Sequence, residues 1–302
     1  MLLTFLCVET RAQELASFVD SPLEQTMGEG DKAALLMVHF GTTFDETRSR
    51  TIDAINEKAR KAFPNLEVRE CYTSRIILRR LAKKGIRKAT PIEAMMRLRA
   101  DGYTHLIVQS TNVIDGTEME SLRRDVERME PFFKEVRVGQ PLLYSVDDAL
   151  RVADILVNRH PAAEKKREHV LLVGHGTGTP ATALYSEIDY MLRDAGHANY
   201  HVGTIEGYPT FETVLRQLKA AKARKVTLVP FMFVAGDHAA NDISKEWKEQ
   251  LEEQGFTVDL HIEGLGEVPE IQDIYIDHVR FLTTHRQRSV MEKKNMYSKQ
   301  KD

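Results

Sequence analysis

Two stretches of this chain repeat one pattern, and that repeat limits the possible folds more than any other feature. The run Ala-Leu-Leu-Met-Val-His39-Phe-Gly-Thr-Thr matches Val-Leu-Leu-Val-Gly-His175-Gly-Thr-Gly-Thr with a one-residue slip after the histidine. Further on, Leu-Ile-Val-Gln-Ser-Thr-Asn-Val-Ile-Asp-Gly116-Thr-Glu118 falls on Val-Thr-Leu-Val-Pro-Phe-Met-Phe-Val-Ala-Gly236-Asp-His238. Self-similarity over this length points to two copies of one structural unit.

Within each copy, short apolar runs alternate with stretches of helical periodicity. Strands are expected at 33–38, 67–72, 105–109 and 136–138, and again at 170–173, 200–204, 226–230 and 258–261. Helices are expected at 47–63, 91–100, 145–157, 181–195, 210–223, 241–254 and 269–282. Apolar runs without strict alternation suit strands buried on both faces, and their alternation with helices implies right-handed crossovers. The expected fold is therefore α/β: two similar lobes, each a parallel sheet flanked by helices, with a cleft between them. The first lobe is expected over 31–144, the second over 145–268 and a C-terminal helix over 269–285. A weakly structured N-terminal extension is expected over 1–30, and a basic tail over 286–302.

Composition narrows the chemistry. Lys plus Arg (42) nearly balance Asp plus Glu (45), so no global field marks a nucleic-acid partner. Only Cys7 and Cys71 occur, which excludes a disulfide framework and an all-thiolate zinc site. A metal site must then be built from histidine and carboxylate. No apolar run reaches the roughly 18 residues of a membrane-spanning helix. The opening Met-Leu-Leu-Thr-Phe-Leu-Cys-Val has no basic residue ahead of its apolar stretch and Leu6 before Cys7. The expectation is a cytoplasmic protein, or a periplasmic one if the start is truncated.

Three polar residues of the second copy, His175, Glu206 and His238, each follow an apolar run, two of them beside glycine. Parallel strands bring such ends to one edge, where open α/β sheets bind their ligands. Two imidazoles and a carboxylate suit a borderline divalent ion and leave coordination positions open. Taken singly, each reads more readily as a satisfied or exposed residue; all three at equivalent strand ends of one lobe favour function. The glycine-rich turn after His175 offers backbone amides to a phosphate, but it lacks the Walker ending and the dinucleotide spacing. His39 and Glu118, the counterparts of His175 and His238, either face the cleft or are remnants of duplication. Arg75, Arg79, Arg80, Lys83, Lys84, Arg87 and Lys88 form a basic run that is either a solvated helix face or a rim for a polycarboxylate. Met95, Met96, Phe132 and Phe133 read as core, and Met232 and Phe233 as core or ligand wall.

At Val-Gly-His175-Gly-Thr, Glu206-Gly-Tyr-Pro and Pro-Phe-Met-Phe-Val-Ala-Gly-Asp-His238-Ala-Ala-Asn-Asp the chain resembles the anaerobic cobalt chelatases, the sirohydrochlorin cobaltochelatases. The resemblance runs from about Lys32 to about Leu282 and includes Tyr-Thr-Ser-Arg-Ile-Ile and the late Gly-Leu-Gly-Glu-Val-Pro. It implies the class II chelatase fold and ATP-independent insertion of a divalent metal into sirohydrochlorin or precorrin-2, in cobalamin biosynthesis. Cobalt is the implied ion, with iron or nickel as alternatives. His175, Glu206 and His238 are the implied metal ligands, with His175 and Glu206 accepting the pyrrole protons. No cofactor beyond the substrate ion is implied, and relatives commonly form homo-oligomers. The chain departs from its relatives at Gly178, Thr179 and Pro180, where further histidines are frequent. It departs also at Asn112, near a histidine linked to haem binding in some members, and at His39, commonly serine. A ferrochelatase, a non-catalytic tetrapyrrole or haem carrier using His39, and a phosphate-ester enzyme remain alternatives.

Overall fold

The computed structural model describes residues 17–163, 167–236 and 239–299. Its strands are, in chain order, β1 (Phe18–Asp20), β2 (Ala33–His39), β3 (Glu67–Tyr72), β4 (His105–Ser110), β5 (Glu135–Val138), β6 (Glu168–Gly176), β7 (Tyr200–Glu206), β8 (Lys225–Phe231), β9 (Thr257–Leu260) and β10 (His285–Gln287). Eight of them form two four-stranded parallel sheets, ordered β3-β2-β4-β5 and β7-β6-β8-β9. The order within each set of four is the same, so the sequence repeat is a repeat of topology. The first strand of each set lies centrally and carries its histidine at the carboxyl end.

Burial explains why these strands read as unbroken apolar runs. Leu35 and Met37 enter one core while Ala34, Leu36 and Val38 enter another on the opposite face of β2. On β6, Val170 and Leu172 join the first core and Leu171 and Val173 a third. A strand covered on both faces has no solvent side on which to place polar residues. The largest core is shared by the two lobes, and the helix Pro269–Thr284 runs through it with Ile271, Ile274, Tyr275 and Val279 buried. That helix follows the second lobe but returns to the first. The Tyr275 hydroxyl donates to the carbonyls of Thr111 (3.0 Å) and Asn112 (3.2 Å) at the end of β4, and Lys58 pairs with Asp273 at 2.7 Å.

The two ends of the chain differ from the sequence expectation of a weakly structured arm and a basic tail. β1 and β10 pair antiparallel, with Phe18 opposite Gln287 and Asp20 opposite His285, and Val290–Lys299 is helical. Phe18 meets Phe281 edge-on at 4.9 Å between ring centroids, and Arg137 donates to the carbonyls of Ser21 and Leu282. The pairing partners are separated by almost the whole chain, so no local pattern encodes them. Residues 1–16 of the expected arm, with Cys7, and residues 300–302 lie outside the described residues.

The helix expected over 47–63 is three pieces, with a π-helical turn at Ser49–Asp53 between Asp45–Arg48 and Ala54–Ala62. A second π-helical segment, Ala239–Trp247, precedes Lys248–Glu253. Met96 and Phe132, expected in the core, are exposed, whereas Met95 is fully buried. Met96 lies about 100° round the helix from Met95, which turns it away from the sheet.

Candidate functional site

His175 is the penultimate residue of β6, and Glu206 is the last residue of the neighbouring β7. The register places Gly176 opposite Glu206, so the two candidate side chains emerge from adjacent strands at one sheet edge. Two glycines make this corner possible. Gly176 has φ +81° with its Cα pressed against the Glu206 carbonyl, and Gly207 has φ +86° against Thr182 and the Thr177 carbonyl. Both lie in the left-handed region, where a side chain is strained, and neither position has space for one.

The His175 ring is half-buried, and its Nδ1 donates to the Gly176 carbonyl at 3.2 Å. A carbonyl can only accept, so this contact selects the Nδ1–H tautomer and makes Nε2 the lone-pair donor of the neutral ring. Glu206 is exposed at the cleft. His238, the third sequence-predicted ligand, lies outside the described residues, between Gly236 and Ala239. The described chain on either side of it leaves β8, the other neighbour of β6, and enters the π-helical segment Ala239–Trp247.

His175 and Glu206 line a cleft of about 490 Å³ between the lobes. Its walls are mostly apolar and aromatic: Phe40, Val113 and Ile114 from the first lobe, Tyr185, Phe231 and Phe233 from the second. Asn112 also lines it, and the Asn112 side-chain nitrogen is buried without a hydrogen-bond partner among the described residues. An unpaired buried donor at a cleft wall is costly unless an acceptor arrives there. The lobes touch where Thr117 meets Thr177, 3.5 Å between hydroxyl oxygens. A slot of this lining suits a flat, largely apolar ligand with a few polar attachments.

The first-lobe counterparts divide. Glu118 lines the cleft with His175 and Glu206. His39 does not; it is 1% exposed and bound within the lobe. Its Nε2 lies 3.0 Å from Asn56 Oδ1 and its Nδ1 3.0 Å from the Thr111 hydroxyl. Asn56 uses its amide nitrogen to donate to Glu70 at 2.7 Å, so Oδ1 must accept from His39 and Thr111 must donate to it. The neutral ring is thereby fully satisfied. Burial pushes its pKa down to about 4, opposed in part by the charge of Glu70 and the hydrogen bond of Asn56. His39 also stacks on Phe233, 6.2 Å between centroids at 26°, so it backs the cleft wall from behind.

Six of the seven residues of the basic run are exposed, and none lines the cleft. Lys88, half-buried, is paired with Glu70. The run is a solvated surface rather than a rim of this cavity. Met232 and Phe233, open between core and ligand wall on sequence grounds, do both. Sequence reasoning missed the cleft lining by Phe40, Asn112 and Tyr185. It also missed His160, His261 and Glu263, whose ligand atoms lie within 4.8 Å of one another away from the cleft. No spacing motif announces either group.

A family model described as cobalt chelatase (CbiK) matches residues 33–283. The sirohydrochlorin cobaltochelatase of Salmonella typhimurium is 33% identical over 253 residues, 82% of this chain and 95% of that protein. The sirohydrochlorin cobaltochelatase CbiKC of Nitratidesulfovibrio vulgaris is 33% identical over 254 residues, 82% of this chain and 89% of that protein. Among solved structures, SirB from Bacillus subtilis with Fe3+ superposes with a TM-score of 0.59 at 16% identity, covering 84% of this chain and 96% of its own. CbiX, described as the terminal enzyme of sirohaem biosynthesis in denitrifying bacteria, superposes with 0.52 at 16% identity, covering 82% and 98%. At such identities the superpositions speak for the fold: two α/β lobes facing a cleft.

Proposed function

This chain belongs to the CbiK family of cobalt chelatases, and from that premise we propose that it inserts Co2+ into sirohydrochlorin without ATP. The observation that carries the reading is the convergence of His175 and Glu206 on one edge of the apolar cleft, in a chain that matches curated sirohydrochlorin cobaltochelatases over most of its length.

Insertion exchanges two pyrrole N–H protons for one divalent cation, so the site must hand over an ion and take up two protons. His175, through Nε2, and Glu206 supply an imidazole nitrogen and a carboxylate at the same end of the sheet, both lining the cleft. In this proposal His238 completes the set, and three protein ligands leave positions for the incoming ring nitrogens. As the ion passes to the ring, the Nε2 lone pair and the Glu206 carboxylate become the proton acceptors. Aromatic walls on both lobes hold the macrocycle and exclude water, which strengthens the ion's contacts during transfer. A ring bent so that its nitrogen lone pairs face the ion is bound more tightly than a flat one, and that preference lowers the barrier.

No cofactor beyond the substrate ion is needed in this scheme. A cytoplasmic setting and a homo-oligomeric assembly belong to the same proposal, and fractionation and sedimentation test them. The decisive experiment follows sirohydrochlorin absorbance under anaerobic conditions with Co2+, Ni2+ and Fe2+ in turn. Conversion with Co2+ in the absence of nucleotide is expected. Tight binding of the ring with no conversion by any ion would replace the reading with that of a carrier.

A further inference from the structure

We propose a second transition-metal site, made of His160, His261 and Glu263 and separate from the cleft. His160 follows the helix Val146–Arg159, and His261 and Glu263 follow the edge strand β9. One ligand atom from each lies within 4.8 Å of the other two, and none of the three residues lines the cleft. Donors around an ion with bonds of ~2.1 Å sit roughly 3.3 Å apart, so a small side-chain rotation closes the set. His261 is exposed and can make that rotation.

The surroundings favour an ion. His160 is 7% exposed; its backbone N–H donates to the Leu156 carbonyl at 3.0 Å and its carbonyl accepts from the Tyr200 hydroxyl at 2.7 Å, while among the described residues no hydrogen bond reaches its ring nitrogens. Its ring nitrogens are therefore available to an incoming ion. Its ring meets that of His261 edge to face, 4.7 Å between centroids at 75°, so the two imidazoles are already in contact.

Glu263 is held in place by Arg159, which donates to both carboxylate oxygens, and it lies 3.4 Å from the His261 ring. The guanidinium keeps the carboxyl ionised, below its usual range. A carboxylate has about four lone-pair sites, so pairing with arginine leaves room for a metal bond, and the arginine then orients a ligand. Two nitrogens and one oxygen select Zn2+, Co2+ or Ni2+ over Mg2+ or Ca2+. An ion there would clamp the exit of the edge strand β9 to the end of the Val146–Arg159 helix, a structural role distinct from the substrate ion.

The test uses the full chain after removal of metal by chelation, in a His175→Ala background that weakens the cleft site. Zn2+ binding is measured by equilibrium dialysis, and Co2+ binding by its ligand-field absorbance. A single equivalent should bind to the His175→Ala protein, and adding His261→Ala should weaken it by at least about tenfold and abolish the Co2+ bands. Glu263→Gln should weaken it in the same direction. Zn2+ should raise the Tm of the His175→Ala protein but not of the His175→Ala/His261→Ala double variant, whose apo Tm and circular dichroism serve as the folding control. Undiminished Zn2+ affinity in both His261→Ala and Glu263→Gln backgrounds, or no binding at all to His175→Ala, would overturn the proposal.

Discussion

Gly176 and Glu206 lie opposite one another in register on adjacent parallel strands, with the glycine Cα against the glutamate carbonyl. This contact sets the separation between the His175 and Glu206 side chains, because it locks the backbone of both strand ends. A residue that carries no side chain therefore controls the spacing of two that do.

Gly176→Ala should damage stability and insertion together. The added methyl group meets the Glu206 carbonyl at a φ of +81°, a region costing about 1–3 kcal/mol for a non-glycine residue before the clash is counted. Urea unfolding should show the loss. The insertion rate measured well below the midpoint should fall further than the folded fraction does, since Glu206 is displaced.

His175→Ala should abolish insertion, by roughly a hundredfold or more, while leaving the fold intact, because the ring is only half-buried at the end of its strand. Glu206→Gln preserves shape and removes charge. It should lower kcat more than it raises the KM for the ring if the carboxylate takes a proton. Near-normal turnover by His175→Ala would remove that residue from the mechanism.

Acid should weaken the protein through His39. Its folded pKa is depressed to about 4, whereas an unfolded histidine titrates near 6.5. Between those values the unfolded chain binds the proton and the folded one does not. Stability is therefore intact above about pH 6.5 and is lost as the pH falls toward 4, by up to roughly 3 kcal/mol from this residue. His39→Leu should be less stable at pH 7, with the Asn56 side-chain oxygen left without its donor, yet show a shallower decline from pH 6.5 to 4.5 in urea titrations. Parallel slopes for the two proteins would contradict the assignment.

Asn112→Ala tests the unpaired donor in the cleft wall. Removing a buried group that has no partner should leave Tm unchanged or slightly higher. If the amide meets a substrate acceptor, KM should rise by about fivefold to tenfold, a loss of one neutral hydrogen bond, with kcat little altered. A variant with a lower Tm and an unchanged KM would assign Asn112 to structure alone.

Much of the scaffold is visible in local pattern. The β-strands Glu67–Tyr72 and His105–Ser110 and the helix Pro91–Ala100 stand almost where periodicity predicts them. Thr90 and Glu93 supply the capping box that marks the start of that helix. The π-helical turns were not legible, since their extra residue per turn leaves the apolar spacing close to that of an ordinary helix. Among candidate site residues, His39 ends β2 and Glu118 stands in the first turn of the helix Thr117–Met129, yet Glu118 faces the cleft and His39 is sealed behind it. The difference is made by Asn56 and Thr111, remote in sequence from His39.

Alternation of buried runs with amphipathic helices was sufficient for two parallel sheets of identical order, since a strand covered on both faces must be apolar throughout its length. The residue types at the ends of β6 and β7 made His175 and Glu206 candidates from the sequence alone, and the fold brings both to the cleft. Partnership across long separations was left to the folded chain: the pairing of Phe18–Asp20 with His285–Gln287, the return of Tyr275 to the end of β4, and the meeting of His160 with His261 and Glu263. Each depends on where the two sheets come to rest against one shared core, and that position is set by the sum of many weak contacts rather than by any neighbouring stretch of residues.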